Sequence, residues 1–526
     1  MRKTIFLGLF ICLAMVTFGQ AHLSIPNPST WNRSALSAYV GQEVIFDAPM
    51  YVCSNRNGYT VSPRRTFAPT NQAYPLSEEY DMIVSLNASG LMSITGFSGY
   101  HRLGERIANL RAKVNSVNSI TYLGGTWVGN TRSEMAQGVD MSQIDALGQH
   151  NLLVCGFNLE YYLVEDFSSP GPRDNAEHQQ QRAKVSEALA TIQADIFGLV
   201  EIQQGTKALS EICADLKTNT GRTYSYVSLT SSSGGTFTQS AYVYDVSKVK
   251  PIGNVRLNNK GVQNRKAQLA FEEIATGERF IYSINHFKAK SGTGTGKDAD
   301  QGDGQGGFNA TRVQEALSVL EAYSTYRNIV EEQDILVMGD LNAYAKEDPI
   351  KAFLDGGFID MHRYFHADSS YSYVYSNQAG YLDHAIVNPS MLTQVTGMCG
   401  YHINSDESDN YTYDKSSDYS MFRCSDHDPV VVGLRLGSDL SQSMEVNVNS
   451  IDILCKGADI VIANAQIDKS VPAFYRIYNG NGILITSGQV PTGDNYFTIP
   501  RPTYPGVYVV QVFSGSVSTQ RKAIIY

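Results

Sequence analysis

Six short apolar segments of this chain each close on residues that could bind a metal ion or move a proton. The closing groups are Cys155–Asn158, Glu201, His286, Asp340–Asn342, Asp383–His384 and Ser425–Pro429. Carboxylate and amide oxygens suit Mg²⁺ or Mn²⁺, and histidine moves protons near neutral pH. Such residues can neutralise a phosphoryl group, activate a water and stabilise a leaving oxygen, as phosphodiester hydrolysis requires. A sheet whose strands finish at one edge would gather the six groups into one cluster.

Two of these residues are expected to hold a metal ion through their oxygens. Glu201 closes an apolar run and offers a carboxylate to Mg²⁺ or Mn²⁺. Alone it could equally be a solvated glutamate at a strand end, but the five other closing groups favour a site. Asn158 offers a neutral amide, for which a role in a turn is the alternative.

The candidates for proton transfer and phosphate binding lie in the last three closing groups. Asp340 and Asn342 are two residues apart, so an extended segment places both near one phosphate and its water. We assign Asp340 to water activation or leaving-group protonation, and Asn342 to phosphate binding. Asp426 and His427 would face opposite ways on a strand, whereas a tight turn before Pro429 would aim both into one pocket.

The segment from Lys288 to Arg312 is rich in glycine and alternates basic with acidic residues. It is either a loop whose lysines and backbone N–H groups, including those of Lys288 and Lys290, meet phosphates, or a mobile surface loop, and the sequence weighs both equally. Its aspartates could alternatively bind Ca²⁺, although their spacing is not that of an EF-hand.

Length and pattern divide the 526 residues into several regions. Residues 22–147 carry short strand-like stretches at Glu43–Phe46, Met82–Leu86 and Arg106–Val114. Residues 148–437 alternate strands with two helices, which predicts an α/β or α+β class with a sizeable sheet. The apolar faces predicted for these helices are Val185, Ala188, Leu189 and Ile192 in the first and Val313, Ala316, Leu317 and Leu320 in the second. Residues 438–526 read as a polar linker followed by strands.

Residues 1–21 have the pattern of a cleaved export signal, which predicts a secreted or cell-surface protein. Arg2 and Lys3 precede an apolar run of about 15 residues, shorter than the roughly 20 that a membrane span needs. Export permits disulfides, and a bridge between Cys399 and Cys424 would tie down a polar loop. The formal charge of −10 excludes binding of nucleic acid by bulk electrostatics, so a polyanion must be gripped locally.

Taken together, the closing groups of residues 148–437 resemble the endonuclease/exonuclease/phosphatase superfamily. Gly339–Asn342 and Ser425–Pro429 are the most specific part of this resemblance, and Ile284–Lys288, Asp300–Gly306 and His402–Glu407 are similar to secreted bacterial nucleases. The resemblance implies a four-layer α/β sandwich of two packed mixed sheets flanked by helices. Residues 22–147 loosely resemble a small oligonucleotide-binding β-barrel, and residues 438–526 resemble the β-sandwich sorting domain of type IX secretion cargo.

The resemblance also implies roles for individual residues. Asp426 orients His427 or helps hold the metal, His427 contacts the scissile phosphate or acts as general base or acid, Asp383 sets the tautomer of a catalytic histidine, and His286 is the second catalytic histidine. Whether Asp340 or His427 is the base stays open. The substrate-binding residues implied by the family or by the glycine-rich segment are Arg265, Lys288, Lys290 and Arg312.

One stretch departs from the family pattern. Residues 234–240 contain no acidic residue where related nucleases carry one, so we expect His286 to lack a carboxylate partner. His384 is as well explained by a structural role as by catalysis.

These patterns predict an exported, divalent-metal-dependent phosphodiesterase, namely an extracellular nuclease acting on DNA and also on RNA. Its expected partners are nucleic acid and, through residues 438–526, the export machinery, while the sequence leaves the oligomeric state open. A sphingomyelinase-like phosphoester hydrolase and a non-catalytic surface binding protein are the alternatives. The first would need an apolar membrane-facing loop, which the sequence does not offer beside the closing groups.

Overall fold

The structure is a computed structural model of the chain. It describes residues 21–56, 58–64, 86–96, 101–128, 140–230, 238–258, 265–366, 370–376, 378–417, 419–437, 452–456, 459–463, 473–479, 484–490, 496–500, 502, 506–514 and 517–525. The predicted export signal and most of the predicted strand Met82–Leu86 lie outside these residues.

The N-terminal region folds into a seven-stranded sheet. Its strands are β1 (Ala21–Leu23), β2 (Glu43–Phe46), β3 (Met50–Ser54), β4 (Tyr59–Ser62), β5 (Met92–Thr95), β6 (Arg106–Ser116) and β7 (Ser119–Val128). The pairing runs from β6 through β3, β4, β5 and β7 and returns to β6, which makes a closed circuit of five strands. Whether this region is an oligonucleotide-binding barrel stays a prediction.

Two six-stranded mixed sheets form the central region. The first has the order β10-β11-β9-β8-β21-β20, and its strands are β8 (Leu152–Tyr162), β9 (Ile196–Gln203), β10 (Tyr224–Ser228), β11 (Thr238–Asp245), β20 (Val395–Gly400) and β21 (Val430–Leu434). The second has the order β12-β13-β14-β15-β19-β16, and its strands are β12 (Val249–Leu257), β13 (Lys266–Glu273), β14 (Arg279–His286), β15 (Ile335–Asp340), β16 (Ile359–Asp360) and β19 (Asp383–Val387). A hairpin of β17 (Tyr373–Tyr375) and β18 (Gln378–Gly380) lies in sequence between β16 and β19 of the second sheet.

Helices cover the outer faces of both sheets. The α-helices are Ser142–Asp145, Asn175–Ile192, Lys207–Thr220, Asn309–Val330, Asp348–Asp355, Met361–His366 and Pro389–Leu392. One apolar cluster joins Asn175–Ile192 and Lys207–Thr220 to the first sheet, a second fills the space between the sheets, and a third joins Asn309–Val330 and Asp348–Asp355 to the second sheet. The central region is therefore a mixed α/β fold layered helix, sheet, sheet, helix, as the sequence predicted.

Shorter helical turns and the C-terminal strands complete the described elements. The turns are Pro28–Thr30, Arg33–Tyr39, Leu86–Gly90, Gly296–Asp298 and Asp409–Tyr411. The C-terminal strands form sheets of three and four strands, namely β22 (Asp452–Lys456), β23 (Asp459–Ala463), β26 (Tyr496–Pro500) in one and β24 (Ala473–Asn479), β25 (Leu484–Val490), β27 (Gly506–Ser514), β28 (Val517–Ile525) in the other. Their sandwich arrangement and sorting role stay predictions.

The structure confirms the predicted buried face of one helix and changes that of the other. Val185, Ala188, Leu189 and Ile192 are all buried on one side of Asn175–Ile192. In Asn309–Val330 the predicted face is only partly right, because Ala316 is buried and Leu320 packs on the core but Leu317 is 45% exposed. The buried stripe also includes Arg312, Glu315 and Tyr326, whose polar atoms find hydrogen-bond partners inside the fold.

Two further findings concern cysteines and membranes. Cys399 and Cys424 are buried free thiols, so the bridge considered from the sequence is not formed here, and the Cys424 thiol instead donates to Asn404 Oδ1 at 3.5 Å. Within the described residues no helix combines the length and apolarity that a membrane crossing requires.

Candidate active site

The predicted site residues meet at one edge of the two packed sheets, but the reason differs from the one the sequence suggested. His286 and Asp340 do end parallel strands, β14 and β15, where they are register partners. Asp383 begins β19, which is antiparallel to β15 and pairs Asp383 with Asp340. Asp426 and His427 likewise precede β21, which is antiparallel to β8. The start of an antiparallel strand lies at the same edge as the end of its neighbour, so all these groups converge.

The carboxylate of Asp340 accepts three hydrogen bonds at this edge. Its Oδ2 accepts from the amides of Asn158 at 3.2 Å and Asn342 at 3.3 Å, and its Oδ1 accepts from the Asn342 backbone N–H at 2.8 Å. Gly339 precedes it with φ of 119°, and a Cβ there would lie 2.0 Å from the Asn285 carbonyl oxygen. Only glycine lets β14 and β15 approach this closely beside the Asp340 carboxylate.

A histidine–aspartate pair forms the second part of the site. His427 Nδ1 lies 2.7 Å from Asp383 Oδ2, and the same oxygen accepts from Ser372 Oγ at 2.7 Å. The ring of Tyr373 stacks on His427 with centroids 4.5 Å apart. The hydrogen bond to Asp383 fixes the His427 ring so that Nε2 faces Asp340 Oδ2 and Asp426 Oδ1, each at 3.9 Å.

The charge state of His427 follows from its neighbours. Burial alone would lower its pKa, but the carboxylates of Asp383, Asp426 and Asp340 raise that pKa well above the ordinary value. We therefore expect a charged imidazolium at neutral pH, with Nε2–H directed into the site.

The turn before β21 explains how adjacent residues reach one pocket. Asp428 accepts hydrogen bonds from the backbone N–H groups of Ile403, Asn404 and Ser405 and from two side chains. Asn404 in turn donates from its amide to the His427 carbonyl at 2.7 Å. The segment around 402–409 thus clamps the turn, and both Asp426 and His427 face the site, as the Pro429 pattern predicted.

His286 is buried and differs in charge from His427. Its Nε2 lies 3.6 Å from Glu201 Oε1 and 3.7 Å from Asp340 Oδ2. Burial lowers its pKa well below the ordinary value, and the positive charges of Arg265 and His427 lower that pKa further. His286 is therefore neutral. It has carboxylates nearby but at distances longer than a hydrogen bond, and residues 234–237, where an acidic partner was sought, lie outside the described residues.

The acidic side chains of the site fit a divalent cation. Burial raises the pKa of Glu201 to about 7, with further increases from Asp426 and Asp340. Burial also raises the pKa of Asp340 to about 7, with Asp383 opposing ionisation as well. Crowded carboxylates with raised pKa values are stabilised in their ionised form by a bound cation, and an all-oxygen set suits Mg²⁺ or Mn²⁺.

One donor set found among the described residues could hold such an ion. Asp340, Asp383 and His427 offer atoms within 4.8 Å of one another. Asp383 and His427 already hydrogen-bond each other, and the carboxylates of Glu201 and Asp426, which interact electrostatically, offer further oxygens beside this set. Asn158 Oδ1 accepts from the Glu160 N–H at 3.0 Å and its amide nitrogen donates to Asp340 Oδ2, so Asn158 orients Asp340, and its role as a metal ligand stays a prediction.

Glu160 belongs to the site and was missed from sequence. Burial raises its pKa to about 8, Asp426 raises it further, and the charges of Arg423 and Arg56 oppose the increase. Glu160 and Tyr161 have φ of 50° and 56° at a register shift in β8, a bulge that turns side chains toward the edge. Its position two residues after Asn158 on one strand was a signal that could have found it.

Of the four substrate-binding candidates, two lie near the acidic side chains and histidines of the site. Arg265 lies close enough to Glu201 and His286 to affect their pKa values, and its Nε has no hydrogen-bond partner among the described residues. Lys288 places its ammonium 4.2 Å from the ring centroid of Phe308.

The other two candidates hold the protein together instead. Arg312 is fully buried and donates to the carbonyls of Gly307 and Gln305 at 2.8 Å, and Lys290 pairs with the buried Glu347. Their prediction as substrate ligands is corrected, because neither guanidinium nor ammonium is directed outward. His384 is structural as well: its Nε2 lies 2.7 Å from the Ala343 carbonyl, and burial lowers its pKa to about 4.

A layered mixed α/β fold that gathers buried carboxylates and a histidine–aspartate pair at one sheet edge is that of a phosphoester hydrolase. The model of the Endonuclease/Exonuclease/phosphatase family matches residues 148–427, more than half of the chain, and the chain belongs to this family. Enzymes of this family act on phosphoester bonds and generally depend on divalent metal ions.

Solved structures similar to this chain have low identity. An endonuclease/exonuclease/phosphatase from Bacteroides vulgatus is 16% identical with a TM-score of 0.38, and the match covers 54% of this chain and 98% of that one. The human Nocturnin catalytic domain with bound sulfate is 15% identical with a TM-score of 0.36, covering 54% and 94%. The corresponding protein from Beutenbergia cavernae is 11% identical with a TM-score of 0.38, covering 71% and 99%. No curated protein matches the chain.

Proposed function

We propose that this protein is an exported, divalent-metal-dependent nuclease that hydrolyses phosphodiester bonds of DNA and also of RNA. The observation that carries the proposal is the convergence of Glu201, Asp340 and Asp426 with a His427 held by Asp383. These are the groups needed to bind a cation, activate water and donate a proton within one small volume.

The protein's own groups divide the work by their charge states. His427 is an imidazolium, so its Nε2–H donates to the phosphoryl or leaving oxygen. Asp340, whose pKa is raised to about 7, is suited to accept the proton of the attacking water. Asn342 donates to phosphate, and the neutral His286 completes the polar wall. A divalent cation held by Glu201 and Asp426 would neutralise charge on the phosphoryl oxygens.

The location of the protein is part of the proposal. The charged start, apolar run and small residues of 1–21 support export, and residues 438–526 support delivery to the cell surface or medium through a sorting machinery. An extracellular nuclease would meet DNA in the medium, where Mg²⁺ is also present.

The first test is a gel assay of the chain without residues 1–21 on supercoiled plasmid, linear DNA and RNA. Mg²⁺ or Mn²⁺ is added, or metal is removed with a chelator. We expect nicking of closed circles with either ion and none under chelation. Intact nucleic acid under every ion would contradict the proposal and move the assignment to lipid or small phosphoester substrates.

Site variants test the residues that carry the proposal. Glu201→Gln removes a charged cation ligand and His427→Ala removes the proton donor, and we expect each to lower the rate by at least ~10²-fold with the fold intact by circular dichroism. Matched controls are Glu321→Gln on an exposed helix face and His22→Ala on the N-terminal sheet, both expected to keep full activity. Substantial activity in either site variant would overturn the assignment.

A further inference from the structure

An arginine from the N-terminal sheet reaches the edge of the candidate active site. Arg56 lies in the connection between β3 and β4, far from residues 148–437 in sequence. Its Nη2 is 3.9 Å from Asp426 Oδ2, and its guanidinium carbon is 5.5 Å from the ring centroid of Tyr373. A residue outside the family-matched region therefore stands beside the predicted catalytic groups.

Buried polar contacts fix the position of this connection. Arg102 donates to Asp406 Oδ2 at 2.7 Å and pairs with Glu407 at 3.0 Å. Asn55, the neighbour of Arg56, donates its amide to the Asp406 carbonyl at 3.0 Å, and the N–H of Leu103 donates to the same carbonyl at 3.0 Å. These contacts hold the N-terminal region against the segment that also clamps His427.

The guanidinium of Arg56 lies at the edge of the site. Its Nη2 is buried and has no hydrogen-bond partner among the described residues, since 3.9 Å to Asp426 exceeds a hydrogen bond, while Tyr373 shares a side-chain hydrogen bond with the guanidinium. The side chain as a whole is 32% exposed, so part of the guanidinium lies at the rim rather than in the core.

Arg56, Tyr373 and His427 form a row. Tyr373 stacks on His427 with ring centroids 4.5 Å apart. The guanidinium carbon of Arg56 lies 5.5 Å from the centroid of the same tyrosine ring. A phosphate contacted by His427 is thus separated from Arg56 by the tyrosine ring. The next group of matching charge along a polynucleotide is the neighbouring phosphate, and arginine suits it because its planar fork can form paired hydrogen bonds.

We propose that Arg56 binds the phosphate flanking the scissile one, so that the N-terminal region supplies a subsite selective for polynucleotides over isolated phosphodiesters. The inference rests on the proposed nuclease function. In its alternative, Arg56 only docks the N-terminal region through Asp426 and Tyr373 and has no part in binding substrate.

The experiment compares two substrates with the full mature chain and Mg²⁺. One is a double-stranded oligonucleotide, and the other is bis(p-nitrophenyl) phosphate, a phosphodiester with no neighbouring phosphate. We expect Arg56→Ala to raise KM and lower kcat/KM on the oligonucleotide about tenfold or more, with the rate on the small diester unchanged. Arg56→Lys, which keeps charge and docking but loses the fork, is expected to fall between. Arg111→Ala, an exposed arginine of the same sheet, is the matched control.

A binding measurement separates substrate contact from positioning. In the Glu201→Gln background, fluorescence anisotropy with the oligonucleotide should show weaker binding for Arg56→Ala and a salt slope smaller by about one. Equal losses on both substrates, or unchanged affinity and slope, would overturn the inference, and Arg56→Lys decides the matter if Arg56→Ala fails to fold. A parent protein that cleaves the small diester but no nucleic acid would instead refute the proposed function, and the inference with it.

Discussion

Two groups of basic residues flank the candidate active site, and they differ in how their charge is used. In the glycine-rich segment from Lys288 to Arg312, two of the four basic side chains are satisfied internally, because Lys290 pairs with Glu347 and Arg312 donates to carbonyls of its own loop. On the other side, Arg56 and Arg265 are partly exposed and lie near acidic side chains of the site. The first pair therefore builds the rim, and we infer that the second pair can meet a polyanion.

This difference shows why charge in a sequence does not identify a phosphate site. Glycines make a loop whose carbonyl groups are turned inward, and buried carbonyls need donors. A buried arginine with several N–H groups meets that need, and its charge is then unavailable to substrate. A basic residue binds substrate only where the fold leaves its donors without internal acceptors.

The largest expected effect is on stability and comes from Arg312→Met. The substitution leaves the carbonyls of Gly307 and Gln305 without donors, and we expect a loss of about 3–5 kcal/mol in the free energy of unfolding. Urea denaturation monitored by fluorescence measures it. Lys351→Met, which breaks only an exposed pair with Asp355, should change stability by less than ~0.5 kcal/mol. Similar values for the two variants would contradict the assigned role of Arg312.

A smaller stability effect is expected at the Lys290–Glu347 pair. Lys290→Met leaves the buried Glu347 carboxylate with Arg312, 3.9 Å away, as its remaining cation, and should cost about 2 kcal/mol or more. The double variant Lys290→Met with Glu347→Gln removes both charges and should recover most of that loss, which a double-mutant cycle in urea measures. If the single variant instead raised KM for DNA with stability unchanged, Lys290 would belong to the second group.

Much of the site could be predicted because its signal is local. An apolar strand followed by a lone carboxylate marks Glu201 and Asp340 from the sequence alone, the turn pattern before Pro429 marks His427, and strand pairing brings the three together. Arg56 carries no such mark. Its place depends on contacts such as Arg102 with Asp406, which are 304 residues apart, and long-range docking leaves no periodic trace in sequence.

The errors from sequence have a common physical cause. The buried face of Asn309–Val330 was assigned to apolar residues, but Arg312 and Glu315 are buried because each finds partners in the fold. Asn158 was expected to offer oxygen to a metal, and that oxygen already accepts a hydrogen bond from the backbone N–H of Glu160. In both cases a hydrogen bond that the sequence does not display decides where a polar side chain points.

Arg265→Ala is expected to affect activity more than stability. Its guanidinium lies near Glu201 and His286, so its removal should lower kcat/KM on DNA about tenfold, equivalent to about 1.4 kcal/mol. The unfolding free energy should change by less than it does in Arg312→Met. Steady-state kinetics with Arg111→Ala, an exposed arginine of the N-terminal sheet, as the control would check the difference. A large loss of stability with normal kinetics would transfer Arg265 to the structural group.

Lys288→Met carries the smallest expected effect and tests the comparison most directly. Lys288 is the one member of the glycine-rich segment discussed above whose ammonium has an aromatic ring rather than a carboxylate or carbonyl as its neighbour. Methionine can still pack on Phe308, so only the charge is lost, and we expect KM on DNA to rise about two- to threefold with stability changed by less than ~1 kcal/mol. A KM increase as large as that of Arg56→Ala would mean that the segment binds phosphate after all. The division between basic residues that stabilise the loop and basic residues that bind the substrate would then not hold for Lys288.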